Sequence, residues 1–308
     1  MKTGILLSYK GIGANLLHLA YCHEIAKKYG PVSIITICPK LKEILENDPL
    51  IKEVIYLNRY QKKLFDIFKL SKFLKNLNLL NIFIFYPSIR YYLSSKLAGI
   101  KNIKHYPFFK KKNLHLVSAA QNFTQNSLNI KNCPTETKIN LDNKNIEKYK
   151  KDSFKIITLG VGSSGPTTRW GYKNYILLIE KLNKLGNFYF YLLCGSEENE
   201  IAESIIANFK DKNFKSLSNV NISEAIHFIS ASDLYIGNDS FGHHVSCQRG
   251  IPSFIIILDT PGAYTDYSIN QKKILPKNIS PNKISHDSNF SPNSITVDMV
   301  IDNIKNFI

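Results

Sequence analysis

The sequence predicts an α/β protein made of two doubly wound domains, each with a parallel β-sheet. Short apolar strands alternate with amphipathic helices, and this alternation is interrupted by a polar stretch rich in lysine and asparagine at residues 139–155. The pattern then restarts, and 308 residues suit two domains of about 150 residues each. We therefore predict domains over residues 1–148 and 149–308, with the polar stretch as the linker.

The first half begins with an apolar strand and a glycine-containing turn. The strand covers residues 5–9, and the chain then turns through Gly11 and Gly13 into one amphipathic helix that ends at Gly30, a good C-cap. Further strands are predicted at 31–38, 53–57 and 82–87, with a helix at 41–47.

The second half repeats the alternation. Strands are predicted at 155–162, 188–195, 233–239 and 251–258, and helices at 172–186, 198–209, 223–232, 241–250 and 294–308. Strands separated by helices form βαβ units with parallel sheets. A ligand is therefore expected at the carboxyl ends of the strands, where the loops expose backbone N–H groups.

The net charge of +16 belongs entirely to the first half. Residues 1–150 contain 25 Lys or Arg and nine Asp or Glu, whereas residues 151–308 contain 15 of each. The densest basic runs are at 59–75 and 108–115, where lysines alternate with aromatic and aliphatic residues. This surface is either a solvated face or one that meets an anionic partner, such as a phosphorylated lipid or glycan.

Cysteine spacing and hydropathy limit the protein class further. The five cysteines are scattered, without a Cys-x-x-Cys pair, so we expect them to be reduced and mostly buried. No run of apolar residues reaches the ~18 to 20 needed for a membrane span. We expect a cytoplasmic protein, with peripheral contact at the inner face of a membrane as a further expectation.

Three strand ends in the second half carry polar residues suited to anion binding. Arg169 precedes Trp170 after the strand at 155–162, and Glu197 and Glu198 follow the strand at 188–195. After the strand at 233–239, residues of N-cap type lead into a helix, whose N-terminus can bind phosphate. The residues of this last segment are Asn238, Asp239, Ser240, Phe241 and Gly242.

In this order and spacing, the three loops resemble the donor-binding domain of glycosyltransferase family 9, the lipopolysaccharide heptosyltransferases. The family motif Asp-Ser/Thr-Gly-x-x-His is matched by Asp239, Ser240 and His244, and its Gly-x-Pro by residues 250–252. The N-terminal strand and glycine-rich turn resemble the opening motif of the family.

The resemblance implies a GT-B architecture, in which two Rossmann-like domains face each other across a cleft. The first domain would bind the acceptor and the second a sugar nucleotide, with the last helix packing back on the first domain. The implied donor is ADP-heptose, and the implied acceptor is lipopolysaccharide or another anionic, lipid-linked glycan. No cofactor, metal or nucleic-acid partner is expected.

The resemblance also assigns site residues. Arg169 would contact the donor diphosphate in a bidentate way, and Lys173 is placed in the same donor site. Either Glu197 or Glu198 would contact donor hydroxyls. Asp239 and Ser240 would lie beside the diphosphate, with the N–H groups of Phe241 and Gly242 as donors, and His244 would hold the loop. At the acceptor side stand Gly11, Gly13, Ala14 and Asn15.

Two positions depart from the family pattern. Phe241 replaces the motif glycine, which favours a different donor sugar or nucleotide. Ala14 replaces the aspartate proposed as catalytic base in the family, and alanine cannot accept a proton. His18 lies one helical turn further on the same face, and its ordinary pKa near 6.5 suits a base. We consider His18 either as the catalytic base or as a residue that only packs within its helix.

Neighbouring His243 and His244 diverge by about 100° on a helix, so we expect them not to share a metal ion. Trp170 is expected to pack. Two further functions stay open: transfer of another nucleotide sugar for capsule or O-antigen, and a degenerate member that binds a nucleotide sugar without transferring it. Nucleic-acid binding has only charge in its favour, without a recognition motif.

Overall fold

A computed structural model describes residues 2–58, 66–107, 115–163, 165–210, 213–259, 264–284, 288 and 290–308. The chain forms two compact units, Met1–Asn140 and Leu141–Ile308. Most of the two basic runs, residues 59–65 and 108–114, lies outside the described residues. No helix among the described residues is both long and apolar enough to cross a bilayer.

Unit 1 contains a five-stranded sheet of order β3-β2-β1-β4-β5, and every strand pair in it is parallel. The strands are β1 Thr3–Leu7, β2 Val32–Thr36, β3 Ile51–Tyr56, β4 Asn81–Ile84 and β5 Asn102–His105. The helices are α1 Ile12–Leu17, α2 Leu19–Tyr29, α3 Leu41–Leu45, α4 Asp66–Asn76, α5 Ile89–Leu97 and α6 Leu116–Leu128.

Unit 2 contains a six-stranded sheet of order β11-β10-β9-β6-β7-β8, also with parallel pairs throughout. The strands are β6 Lys155–Gly160, β7 Phe188–Leu193, β8 Phe214–Ser216, β9 Leu234–Asn238, β10 Ser253–Ile256 and β11 Gln271–Ile274. The helices are α7 Asn143–Glu147, α8 Tyr172–Leu182, α9 Asn199–Ile206, α10 Ile222–Ser230, α11 Phe241–Gln248 and α12 Val297–Ile304.

The core of each unit explains why the central strands were recognisable from sequence. In β1, β2, β4, β6 and β9 every residue described is buried or nearly so, because helices cover both faces of the sheet. Such strands consist of continuous apolar runs. Helix α8 adds a buried stripe of Tyr175, Leu178, Ile179 and Leu182, at helical spacing.

The helix predicted to run from the first turn to Gly30 is broken at His18. The ring Nδ1 of His18 donates to the carbonyl oxygen of Ala14 at 2.6 Å, while the backbone N–H of His18 bonds the carbonyl of Asn15. A side chain that bonds the carbonyl four residues back competes with the helical ladder. The chain therefore ends α1 at Leu17 and starts α2 at Leu19.

Two expectations about unit 2 require correction. Part of the stretch 139–155 is helix α7, not linker, and this helix packs on α10. The Tyr149 and Phe228 rings lie 4.2 Å apart between centroids, so the segment belongs to unit 2 and the units divide before the predicted boundary at residue 148. Helix α12, expected on the first domain, buries Val297, Val300 and Ile304 in the core of unit 2.

Candidate active site

The candidate site in unit 2 lies at the edge of the sheet where the strand order reverses. Strands β6, β7 and β8 extend to one side of the sheet and β9, β10 and β11 to the other, so the reversal falls between β6 and β9. In doubly wound sheets ligands bind beside this point, at the carboxyl ends of the strands. The predicted donor-site residues Arg169, Glu197, Glu198, Asp239 and Ser240 follow the ends of β6, β7 and β9, whereas Lys173 lies on helix α8 and Phe241, Gly242 and His244 lie on helix α11.

Asn238 joins two of these loops. It is fully buried at the end of β9, and its Oδ1 accepts hydrogen bonds from the backbone N–H of Trp170 and the hydroxyl of Tyr175. Its Nδ2 donates to the carbonyl of Val161 at 3.0 Å. The amide therefore fixes the β9 end to the loop after β6. The sequence suggested only a helix-capping role for Asn238; its position at the end of an otherwise apolar strand was the available signal.

Trp170 is a packing residue, as expected. Its side chain is fully buried, and its Nε1–H donates to the carbonyl of Ile295 at 2.7 Å. The Arg169–Trp170 peptide is held at the end of β9 because the backbone N–H of Trp170 donates to Oδ1 of Asn238.

Arg169 and Glu198 connect the β6 loop to the β7 loop. Arg169 Nη2 lies 2.7 Å from Glu198 Oε1, and the same oxygen accepts a hydrogen bond from the backbone N–H of Ser163 at 2.9 Å. Glu198 Oε2 accepts from the backbone N–H of Gly195 at 3.0 Å. The carboxylate therefore contacts both loops and the guanidinium of Arg169, whose side chain is one-third exposed.

The sequence left open whether Glu197 or Glu198 faces the donor site, and the two side chains differ in their placement. Glu197 is exposed on the short 3₁₀ turn Ser196–Glu198, whereas Glu198 points into the loop cluster. Lys173 is exposed in the first turn of α8, three residues after Trp170. Among the predicted cations, only Arg169 is thus built into the loop cluster.

Helix α11 directs its N-terminus to the same edge. Ser240 is the N-cap residue with extended backbone angles, and its side chain makes no capping hydrogen bond. The first turn contains Phe241, which is partly exposed, and Gly242, which is buried against Leu193 and Tyr235. A Cβ on Gly242 would overlap both side chains, so the shift of the motif glycine by one position has a packing reason.

His243 and His244 do not diverge as expected. Their ring centroids are 3.8 Å apart, and both side chains are buried. His244 Nδ1 is 2.7 Å from the hydroxyl of Tyr267. Burial lowers the pKa of His244 to about 3, and burial and the neighbouring His244 lower the pKa of His243 well below its ordinary value, so both rings are neutral at pH 7.

The predicted acceptor residues of unit 1 line the turn between β1 and α1. Gly11 is exposed at the N-cap of α1, and Gly13 and Ala14 are partly exposed in its first turn. Asn15 is buried: its Nδ2 donates to the carbonyls of Tyr9 and Gly11, and its Oδ1 accepts from the hydroxyl of Thr36. Asn15 therefore holds the turn in place, while the other three are accessible.

His18 does not have the placement that a catalytic base needs. Its side chain is fully buried; because the Ala14 carbonyl can only accept, Nδ1 carries the proton and Nε2 accepts from the Tyr106 hydroxyl at 3.3 Å. Tyr9 stacks on the ring, with centroids 4.7 Å apart. Burial lowers the pKa of His18 to about 4. Both nitrogens are engaged within the fold, so the packing alternative describes this residue better.

Comparison with known proteins gives a family and a fold. The model of glycosyltransferase family 9 (heptosyltransferase) matches residues 99–277. No curated protein sequence matches the chain significantly.

Solved structures are similar over the whole chain. E. coli ADP-heptose lps heptosyltransferase II has 15% identity and a TM-score of 0.77, covering 100% of this chain and 98% of that one. A family 9 glycosyl transferase from Veillonella parvula has 15% identity and a TM-score of 0.80, with coverages of 99% and 97%. E. coli heptosyltransferase WaaC with ADP has 14% identity and a TM-score of 0.76, with both chains fully covered. The predicted fold class, two Rossmann-like parallel-sheet domains of the GT-B type, is confirmed.

Proposed function

The chain belongs to glycosyltransferase family 9, the heptosyltransferase family, and on this basis we propose that it transfers a heptose or related sugar from a nucleotide-diphosphate donor. We propose ADP-heptose as the donor, lipopolysaccharide or another surface glycan as the acceptor, and inversion at the anomeric carbon. The solved relatives support this donor, since one contains ADP and another contains ADP-2-deoxy-2-fluoro heptose.

The proposal rests on one observation: Arg169, Glu198 and the N-terminus of α11 lie at the same edge of the sheet, in loops that contact one another. An anionic diphosphate at this edge would meet a guanidinium and the N–H groups of a helix start, where the helix dipole favours negative charge. Asn238 ties these two elements together through Trp170. The protein thus offers the phosphates a site whose donors are held in place before binding.

The predicted acceptor residues of unit 1 do not identify a general base. Residues 8–18 contain neither Asp nor Glu, and His18 is buried, so the general base of the inverting step is not assigned. The partly exposed Phe241 in the first turn of α11 favours the alternative of a different nucleotide sugar, for capsule or O-antigen. The absence of an acid at position 14 favours the alternative of a non-transferring binder.

A nucleotide panel followed by a turnover assay tests the proposal. Thermal unfolding would be measured with ADP, UDP, GDP and CMP; a ligand at 100 times its dissociation constant stabilises by about 2.7 kcal/mol. Of the four nucleotides, we expect ADP and not the other three to stabilise the protein against thermal unfolding. ADP-heptose should then be consumed when a lipopolysaccharide acceptor is added. Selective stabilisation by another nucleotide would replace the donor in the proposal, and nucleotide binding without any turnover would favour the non-transferring member.

We also propose that unit 1 contacts an anionic membrane surface through helix α5. This helix buries Ser94 and Ser95 completely, with their hydroxyls bonded to the carbonyls of Ile67 and Tyr91, and exposes Ile89, Leu93 and Leu97. The exposed fractions of the three apolar side chains are 60%, 38% and 57%. Their spacing of four residues places them on one face, which we call the α5 stripe.

The charge around the α5 stripe supports lipid as its partner. Residues 66–107 contain seven Lys or Arg and a single acidic residue, Asp66, which is buried. Lys96 on α5 and Lys101 and Lys104 after it are exposed. Apolar side chains flanked by cations are suited to the interface of an anionic bilayer. An acceptor embedded in that bilayer would then be presented to the basic half of the chain.

A further inference from the structure

We propose that Asp239, His243 and His244 bind a divalent transition-metal ion that clips the end of β9 to helix α11. One ligand atom from each of these three side chains lies within 4.8 Å of the other two. Two imidazoles and one carboxylate form a ligand set suited to first-row divalent ions such as Zn²⁺. This proposal goes beyond the glycosyltransferase function and does not depend on which donor is used.

The orientation of His243 is the strongest argument. Its side chain is fully buried, and neither ring nitrogen has a hydrogen-bond partner among the described residues. Nδ1 lies 3.1 Å from Oδ1 of Asp239, but without hydrogen-bond geometry, so the nitrogen and the carboxylate oxygen are close without pointing at each other. Ligand atoms around a metal have this relationship, because their lone pairs converge on the ion. A buried polar group without a partner otherwise destabilises the fold.

His244 has the outer contact that metal-ligating histidines usually make. Its Nδ1 lies 2.7 Å from the Tyr267 hydroxyl, and the rings are stacked with an interplanar angle of 11°. If Nδ1–H donates to the hydroxyl oxygen, the lone pair of Nε2 is available for the ion. A partner on the opposite nitrogen fixes both the tautomer and the ring orientation of a ligand. Tyr267 is thus a positioning residue in this proposal.

The electrostatics of the site agree with ligation. Metal ions bind neutral imidazole and ionised carboxylate, which are the two kinds of ligand that these side chains can supply. The Asp239 side chain is 7% exposed whereas His243 is not exposed at all, so an ion would enter from the carboxylate side.

Direct metal binding tests the proposal with the full-length chain. The purified protein would be stripped with a chelator and dialysed against ZnCl₂, and bound zinc would be counted by mass spectrometry alongside the thermal midpoint. We expect one zinc per chain and a raised midpoint. The variants His243→Gln and Asp239→Asn should weaken zinc binding at least tenfold, and Tyr267→Phe should weaken it by about 10- to 100-fold, as loss of an outer-shell partner does.

His227→Gln is the matched control, because Nδ1 of His227 bonds the carbonyl of Ser223 in its own helix and the residue lies outside the cluster. It should keep wild-type stoichiometry and affinity. Asp239→Asn keeps the size of the side chain, so it remains informative if His243→Gln fails to fold. The proposal is wrong if the stripped wild-type chain binds no zinc, or if Asp239→Asn and Tyr267→Phe bind zinc as tightly as the wild type. Zinc binding is the quantity measured, so the result does not depend on the outcome of the nucleotide panel.

Discussion

The guanidinium Nη2 of Arg169 lies 2.7 Å from Oε1 of Glu198, which brings a basic residue of the β6 loop against an acidic residue of the β7 loop. Glu198 also accepts two backbone hydrogen bonds, from Ser163 and Gly195. A partly exposed ion pair contributes little stability by itself. The value of this pair lies in holding two loops and one cation in a defined arrangement next to the helix that follows β9.

We predict that Glu198→Gln raises the KM for the donor about tenfold, equivalent to about 1.4 kcal/mol, with a smaller change in kcat. The amide has only one acceptor oxygen, so it cannot serve both loops and also pair with Arg169. Glu197→Gln is the matched control, since Glu197 is exposed on the same turn, and it should stay within about twofold of the wild type. Steady-state kinetics at varied donor concentration measure KM and kcat for both variants. Equal effects of the two variants would show that Glu198 does not hold the two loops and Arg169 in place for the donor.

Asn238→Ala should destabilise the protein by about 2–4 kcal/mol, because it leaves the buried N–H of Trp170 and carbonyl of Val161 without their partner. Asn174→Ala also removes a hydrogen bond to the Trp170 backbone, but from a partly buried side chain. We expect about 1 kcal/mol for that variant. Urea titration, analysed with the same m-value for each protein, measures the free energy of unfolding of both variants. If Asn238→Ala loses no more stability than Asn174→Ala, Asn238 does not link the two loops.

The burial of His18 predicts an acid-dependent loss of stability. Its pKa is about 4 in the folded chain against an ordinary 6.5, so the unfolded chain binds the proton more readily between these values. The stabilising contribution of the neutral ring is complete above pH 6.5 and is lost as pH falls towards 4. Between pH 7 and pH 5 the His18 share of that loss is about 2 kcal/mol.

The variant His18→Gln should therefore lose less stability than the wild type between pH 7 and pH 5. Tyr106→Phe is the control, because it removes the partner of Nε2 but keeps the titrating ring, and it should keep the wild-type slope. The free energy of unfolding, measured by urea titration at both pH values, gives the slopes. If His18→Gln and the wild type have the same slope, the ring is accessible to solvent and could again be considered as the catalytic base.

The contrast between central and edge strands shows how much of the fold the sequence could predict. Strands β6 and β9 are mainly apolar and lie within the segments predicted for them, whereas β1 was predicted at residues 5–9 and covers Thr3–Leu7. Strand β5 (Asn-Ile-Lys-His), strand β8 (Phe-Lys-Ser) and strand β11 (Gln-Lys-Lys-Ile) were not predicted. Each lies at the edge of its sheet, where a strand is short and polar because one side faces solvent.

The site was predictable to the level of its loops but not of its contacts. Position in a βαβ unit indicates that Arg169, Glu198 and Ser240 follow neighbouring strands. Sequence alone could not indicate that Glu198 is turned inward and Glu197 outward, since both have the same chemistry one residue apart. The burial of His18 was equally hidden, because its partner Tyr106 is 88 residues away in the chain.

The α5 stripe predicts binding to anionic vesicles. The triple variant with Ile89, Leu93 and Leu97 changed to Ser should bind vesicles containing anionic phospholipid at least tenfold more weakly, since each half-exposed apolar side chain can contribute about 1 kcal/mol on insertion. Stability should fall only modestly, because the three side chains are 60%, 38% and 57% exposed. Leu177→Ser is the control, because Leu177 is 48% exposed on α8 in unit 2.

Sedimentation with anionic and neutral vesicles at two salt concentrations measures binding. Wild-type binding that is absent on neutral vesicles, weaker in high salt and lost in the triple variant would support lipid contact through α5, whereas unchanged binding of the triple variant would move the membrane contact elsewhere.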